Sequence, residues 1–415
     1  MIGIEQLERD IGILQILQHL VISTLKCEDD QITELFDFFD EISISQHFSI
    51  YDGFLRLLVH LSIYFSISLD QEKSQRNQQI FLDILKELIS KHSLKDTFSQ
   101  ILLFHIFKKN KHFLLFLVEE GIIDFDFLIN NELYKIKNSH LYLFFVPEIN
   151  NFMNYMEDED FKIDNFYKKF INAVKRSYCL IDQDDETSSK REKDSESEFQ
   201  FDFEQLKNRR KEIHSPEEIA RIIREDNLDL FLQYISKRDQ FNINSRIKSS
   251  LFENNEDINN EGKGISLLEY SMAFHSINIF RYLWINKAKY SKESLQYCII
   301  GGNFEIFHIL ETESKFKFDQ NCHFKSIEYL QNEIHEYFLN STSPKLNQIH
   351  RSYLLDCYSK IPNFDFHSQN FASISQIPHG KMQKLLFCQL STFYFFYDFI
   401  VHHPYIDINK KSNSV

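Results

Sequence analysis

The stretch GISLLEYSMAFHSINIFRYLWINKAKYSKESLQYCIIGGNFEIFHILE, residues 264–311, repeats itself. Leu268, Tyr270, Met272, Ile277, Ile279, Phe280 and Leu283 are answered by Leu295, Tyr297, Ile299, Phe304, Ile306, Phe307 and Leu310, each pair 27 residues apart. A fixed period carried by apolar positions marks a stacked array, in which each unit buries its apolar face on the next. Each unit reads as helix, tight turn, helix. Such an array offers an elongated surface and carries no built-in chemistry.

The same pattern extends in both directions. Ser266-Leu267-Leu268-Glu269 is a capping box that opens the repeated stretch, and Ser215-Pro216-Glu217-Glu218 reads as another, with proline at the first helical position. After it, Ile219, Ile222 and Ile223, then Leu228, Leu230, Phe231, Tyr234 and Ile235, form a helix pair around Asp226-Asn227. Lys237 to Lys263 is polar and Asn-rich, an insertion between units. Cys322 to Phe338 reads as a further pair, Arg351 to Ser359 as a short helix, and Lys384 to His402 as a last hairpin. Residues 1–150 follow helical spacing too, as at Ile11, Leu14, Ile16, Leu17 and Leu20. Near 98–121 they repeat the form helix, polar turn, helix, with Gly121 at the end. The predicted fold is all-α with short or trimmed β-fingers.

Asp182 to Glu198 holds eight acidic residues among Ser and Lys and almost nothing apolar. Such a stretch cannot offset the entropy of ordering. It is predicted to be an exposed linker over 181–204, dividing a helical domain of residues 1–180 from a repeat domain of residues 205–415. Ser189 and Ser195 each have Glu three residues on, a context that acidophilic kinases accept.

Composition narrows the function. Forty-two Phe and nineteen Tyr stand against only nine Gly, so Gly-rich phosphate loops are poor bets. A net charge of −15 without a basic stripe argues against nucleic acid and against anionic lipid. Cysteines 27, 179, 298, 322, 357 and 388 include no close pair, so neither a zinc site nor a disulfide framework is indicated. Scattered free thiols suit a reducing compartment, here taken as the cytoplasm. The N-terminus lacks the basic and apolar regions of a signal peptide. The longest apolar run, Leu385 to Val401, is broken by Gln389, Ser391, Thr392 and Asp398, so no membrane insertion is expected.

Laid out by unit, the second half resembles ankyrin repeats. Gly264-Ile265-Ser266-Leu267-Leu268-Glu269 stands for the family's opening motif, Ser271-Met272 for its paired alanines, and Ile279-Phe280-Arg281-Tyr282-Leu283-Trp284 for its second helix. Gly302-Asn303-Phe304-Glu305-Ile306-Phe307 is closer still, and Val401 to Asn409 looks like the end of a further unit. Three departures stand out. Glu269 replaces the family His. His275 occupies a left-handed glycine position, at a strain of roughly 1–2 kcal/mol. The 27-residue spacing is shorter than the usual ~33. The whole chain is similar to a large ankyrin family of protist genomes with a helical first half, an acidic break and degenerate repeats behind it. That resemblance implies a binding protein and no catalytic activity.

The residues agree. Glu261-Gly262-Lys263-Gly264 lacks the first Gly and the closing Ser or Thr of a phosphate loop, His402-His403 has no ligand at metal spacing, and Cys298 sits where a small core residue belongs. No catalytic, cofactor or metal constellation is predicted. In the resembling family, variable positions before the inter-helix turn form the concave binding face. Here they fall at Phe274, Ile300, Glu328 and Tyr329, with two readings: an exposed row that anchors a partner, or a row covered by fingers and insertions. The expected function is a protein-interaction scaffold whose partner is another protein. The alternative is an adaptor whose first half holds an enzyme while the repeats select its substrate. The aromatic C-terminal hairpin is expected to leave an apolar end for a second copy or a partner.

Overall fold

The computed structural model describes residues 2–26, 32–65, 71–131, 140–149, 151, 207–238, 240–260, 262–341, 357 and 360–375. The acidic linker with Ser189 and Ser195, the domain boundary and the C-terminal hairpin lie outside the described residues. The first half holds α1 (Ile2–Lys26), α2 (Ile32–Glu41), α3 (Phe48–Tyr64), α4 (Gln71–Ser90), α5 (Leu94–Thr97), α6 (Gln100–Phe107), α7 (Lys111–Glu119), α8 (Phe125–Asn131) and α9 (His140–Phe144). The second holds helix pairs α10 (Glu218–Arg224) with α11 (Leu228–Ser236), α12 (Leu267–Ala273) with α13 (Ile277–Ile285), α14 (Gln296–Gly301) with α15 (Phe304–Glu313), and α16 (Gln320–Glu328) with α17 (Asn332–Asn340). Helix α18 (Phe364–Ser375) follows. Among the described residues the only strands are β1 (Arg246–Ile247) and β2 (Ile265–Ser266), antiparallel with Ile247 opposite Ile265. The all-α class read from the sequence is what the structure has.

The pairs stack in two rows. Helices α10, α12, α14 and α16 pack side by side as an inner row, and α11, α13 and α15 as an outer one. Between the helices of each pair the chain turns through one left-handed residue: Asp226 (φ 48°), His275 (60°), Gly302 (67°) and Leu330 (52°). His275 therefore keeps the strained turn that its position implied. The next residue caps the outer helix where it is Asn: Asn227 Oδ1 accepts from Leu230 N at 3.0 Å and Asn303 Oδ1 from Ile306 N at 3.1 Å. Asn110 does the same for α7 in the first half, accepting from Phe113 N at 3.0 Å. Where it is Ser276, the cap comes from the preceding unit, since Asp226 accepts from Asn278 N (3.1 Å) and Ile279 N (3.0 Å). Neighbouring units thus complete each other's helix ends.

The two capping boxes diverge. Ser266 and Glu269 form theirs in full, and Glu269 also accepts from Ser294 Oγ at 2.7 Å, tying its unit to the next. The box expected at Ser215 does not form. Helix α10 begins at Glu218, and Ser215 Oγ reaches only Glu217 N at 3.4 Å. The Glu217 carboxylate instead accepts from Lys248 N at 2.7 Å, so this corner serves the insertion rather than the helix.

The array is covered at its described end. Helix α1 lies along α18, where Gln15, Gln18 and His19 converge on the Asp365 carboxylate at 2.8, 2.9 and 2.6 Å. Asn363 binds the Ile327 carbonyl at 2.9 Å, fixing α18 to the last inner helix. No described helix is long and apolar enough to cross a membrane.

Candidate functional site

The four candidate positions lie on the inner row, and the structure buries them. Phe274 has no solvent exposure, Ile300 is 2% exposed and Tyr329 1%. The Glu328 side chain is 16% exposed and ion-paired. Of the two readings, the exposed anchor row gives way to the covered one. The covering is made by the chain itself: α3, the segment before α10, and the insertion between α11 and β2.

That insertion is where the sequence misled. Asn255 and Asn259 are internal hydrogen-bonding groups, while Asn242 and Asn260 stay exposed. Asn259 Nδ2 donates to the carbonyls of Ser250 (2.8 Å) and Glu253 (3.0 Å), while Asn259 Oδ1 accepts from Ser250 N (2.8 Å). These bonds satisfy a loop whose Leu251, Phe252 and Ile258 are buried, as a buried backbone requires. The loop then joins both halves. Lys111 at the start of α7 donates from Nζ to Glu253 O (2.7 Å) and from its backbone N to Asn254 Oδ1 (3.1 Å). Asn255 Nδ2 reaches the Ile63 carbonyl of α3 at 3.5 Å.

The charged centre of this junction is Lys325 on α16. Its ammonium lies 2.6 Å from both Asp257 Oδ2 and Glu328 Oε2, with its side chain only 15% exposed. Burial pushes its pKa down, but Glu328 and Asp257 together outweigh burial and hold it above the ordinary lysine value, so it stays charged. One cation between two carboxylates leaves an excess negative charge. Glu328 accordingly has a raised pKa, from burial first, with Asp257 adding to it and Lys325 opposing. Tyr329 donates to Asp257 Oδ2 at 2.7 Å and stands edge-on to Tyr64 of α3 at 5.1 Å. His60 of α3 meets the Glu328 carbonyl at 2.7 Å, and burial lowers its pKa to about 3, so it is a neutral ring at physiological pH.

A second junction lies further along the row. His214 binds Glu253 at 2.7 Å and stands edge-on to Phe274 at 5.0 Å. Burial drives the Glu253 pKa up, yet His214 and the Asn255 N–H outweigh it, and the net shift is down. Arg210, 5% exposed, forms a two-pronged pair with Glu148, both contacts 2.7 Å, and also binds the Phe144 carbonyl. The described part of the first half is therefore fastened to the array by several buried polar contacts.

These groups are titratable and close together, but each is engaged by protein atoms, so the cluster holds two sets of helices in register. Gly264 (φ 63°) belongs to the same structural logic: a Cβ there would overlap the Ile247 carbonyl, so glycine lets β2 approach β1. Beside it is a cleft of about 280 Å³, in which Arg246 spends its guanidinium on the Lys263 and Gly264 carbonyls at 2.8 and 2.9 Å. Cys298 is wholly buried, donates to Leu295 O at 3.1 Å, and has its thiol pushed well above the usual range by burial, the environment of a core thiol. Among the described residues no group of His, Cys, Asp and Glu has the arrangement to hold a metal.

Sequence reasoning missed Asp257, Glu253, Asn255, Lys111, His60 and Lys325. The one available signal was Leu251, Phe252 and Ile258, apolar residues that a solvated insertion would not need. Comparison of the chain with protein-family models, with curated proteins and with solved structures found no match.

Proposed function

We propose that this chain is a non-enzymatic protein-interaction scaffold built on ankyrin-type repeats, and that it presents its outer row of helices to the partner. One observation carries the proposal. With the inner row covered by other parts of the chain, six of the eight large apolar side chains exposed among the described residues lie on the second helices of the pairs: Leu230 and Leu232 on α11, Ile285 on α13, Phe304 on α15, and Tyr337 and Leu339 on α17, with Ile16 and Ile101 elsewhere. Ile285 is 71% exposed. Large apolar side chains left in solvent on successive units are candidate contact points for a partner. The 27-residue period and the left-handed residue at each inter-helix turn support the ankyrin-type description.

An adaptor with two independently working halves has less support, because α3 and α7 spend polar groups on the insertion and on α16. The same packing decides the test, which must use the full chain. A photo-crosslinking amino acid is placed at Ile285 or Leu339, and as a control at buried Phe274. Discrete adducts in a lysate from the exposed positions, absent from the control, are expected. Equal yields from all three positions would remove the outer row as the partner surface.

A further inference from the structure

We infer that the groove at the joint between α13 and α15 is a docking site for an acidic peptide segment of a partner protein. The inference rests on the scaffold reading and names the chemistry of one contact. The groove has a volume of about 530 Å³, within the range of ligand sites, and is lined by Trp284, Lys287, Lys289, Tyr290, Glu313 and Lys315. Its aromatic lining is Trp284 and Tyr290, backed by Phe280 on one side and Phe316 on the other. Phe280 stacks on Trp284 at 5.8 Å, Trp284 meets Tyr290 at 5.0 Å, and Tyr290 meets Phe316 edge-on at 5.7 Å.

The rim is cationic. Lys287, Lys289 and Lys315 are exposed, and none forms an ion pair among the described residues, whereas Lys325, Lys292 and Lys91 do. The single carboxylate present, Glu313, is turned to the indole and accepts from Trp284 Nε1 at 2.7 Å. The groove thus carries three cations and one carboxylate on a chain whose net charge is −15. Lys287 holds its place at φ 62°, one residue past the C-cap Asn286 of α13, where glycine would sit at lower conformational cost. Lys315 Nζ lies 5.5 Å from the Tyr290 ring and 4.9 Å from the Phe316 ring, so cation and aromatic surface form one continuous lining.

This surface matches a segment that is anionic and short. Carboxylates of the segment would pair with the three ammonium groups while its stems cover Trp284 and Tyr290, residue types over-represented among binding hot spots. A nucleic acid fits less well. Nucleic-acid affinity rests on many phosphate contacts made by clustered Lys and Arg, and beyond three lysines the incoming polyanion meets an acidic protein.

Trp284 is the chain's only tryptophan, so its emission reports on this groove alone. The full-length protein is titrated at low ionic strength with a polyglutamate peptide, which is transparent at the excitation wavelength. Anisotropy of a labelled copy of that peptide gives a second readout. A saturable change in both is expected, weakening with added salt. The triple variant K287E/K289E/K315E alters only exposed positions and should bind roughly tenfold weaker or worse, with an unchanged circular dichroism spectrum. No saturable binding by the wild type, or equal binding by the triple variant, overturns the inference. Tighter binding of an oligothymidylate than of the peptide also overturns it, in favour of nucleic acid. Adducts at Leu339 alongside silence from the peptide would leave the scaffold reading standing while this site falls.

Discussion

Replacing Gly301 by alanine sets two effects against each other at one atom. Gly301 is the last residue of α14. Helix propensity alone favours alanine over glycine there by about 1 kcal/mol. Packing points the other way. A Cβ at 301 would overlap the Met272 carbonyl oxygen and lie 3.2 Å from that of Ala273, both in the last turn of α12. Backbone cannot swing aside as a side-chain tip can, so α12 and α14 would have to separate along the closest contact of the inner row. Overpacking of a tight core costs about 1–3 kcal/mol, and a backbone obstacle puts this case at the upper end. Subtracting the propensity gain leaves a net loss of about 2 kcal/mol. Gly12 in α1 supplies the calibration, because a Cβ there meets nothing within 4 Å. Gly12→Ala should therefore stabilise by about 1 kcal/mol. Urea denaturation of both variants beside the wild type measures the two effects, as shifts of midpoint at constant slope. If Gly301→Ala unfolds at or above the wild-type midpoint while Gly12→Ala behaves as stated, the described contact between α12 and α14 is wrong.

Other substitutions probe the junction and the caps. Lys325→Met strands Asp257 and Glu328 without their cation and should cost about 3–5 kcal/mol, read as a lowered urea midpoint. Ser266→Ala breaks the capping box of α12 and should cost about 1 kcal/mol in the same assay. Stability should also fall with acidification. Burial lowers His60 and His367 to about 3 and His112 and His335 to about 4, against an ordinary 6.5, so the unfolded chain takes up protons first. Their contribution is fully present above pH 6.5 and is lost as the pH drops toward 4, at up to about 1.4 kcal/mol per pH unit for each ring. Glu328, raised by burial, works in the opposite sense at the acid end. Unfolding free energies measured from pH 7.5 to 5 that stay level would show these rings to be accessible.

The helix pairs were legible because their signal is local. A 27-residue period of apolar positions needs no knowledge of anything outside each unit, and Ser266 with Glu269 carries its cap within four residues. The junction was not legible, because its partners are far apart in sequence. His60 finds Glu328 across 268 residues and Lys111 finds Glu253 across 142. Around Asn255 and Asn259 only Leu251, Phe252 and Ile258 hint at a buried loop, and they do not say which asparagines satisfy it. The inner row stayed undecided for a related reason. At Phe274 and Tyr329 the sequence left an exposed and a covered row both open, because what covers them is spelled elsewhere in the chain. The cap at Ser215 had the right residues, yet the helix starts three residues later, at Glu218, with Glu217 at its N-cap bound to Lys248 N of the insertion.

The seating of α1 against α18 sets a schedule for synthesis. Gln15 meets Asp365 across 350 residues, and the face of α1 that carries Leu14, Leu17 and Val21 is buried in the finished protein. At a translation rate of roughly 5–20 residues per second, the partner emerges on the order of 20–70 s after α1 leaves the ribosome. Within α1 to α3 the helices can cover one another early, but the strip that receives Phe364 and Asp365 has to wait. For that interval Gln15, Gln18 and His19 lack the carboxylate on which they converge, and α1 has only α2, α3 and α4 to pack against. Fusing a large tag to the C-terminus would prolong the tethering of α18 near the ribosome but not the delay before it appears. Slowed elongation through the middle of the message would lengthen that delay, and with it the time α1 spends without α18.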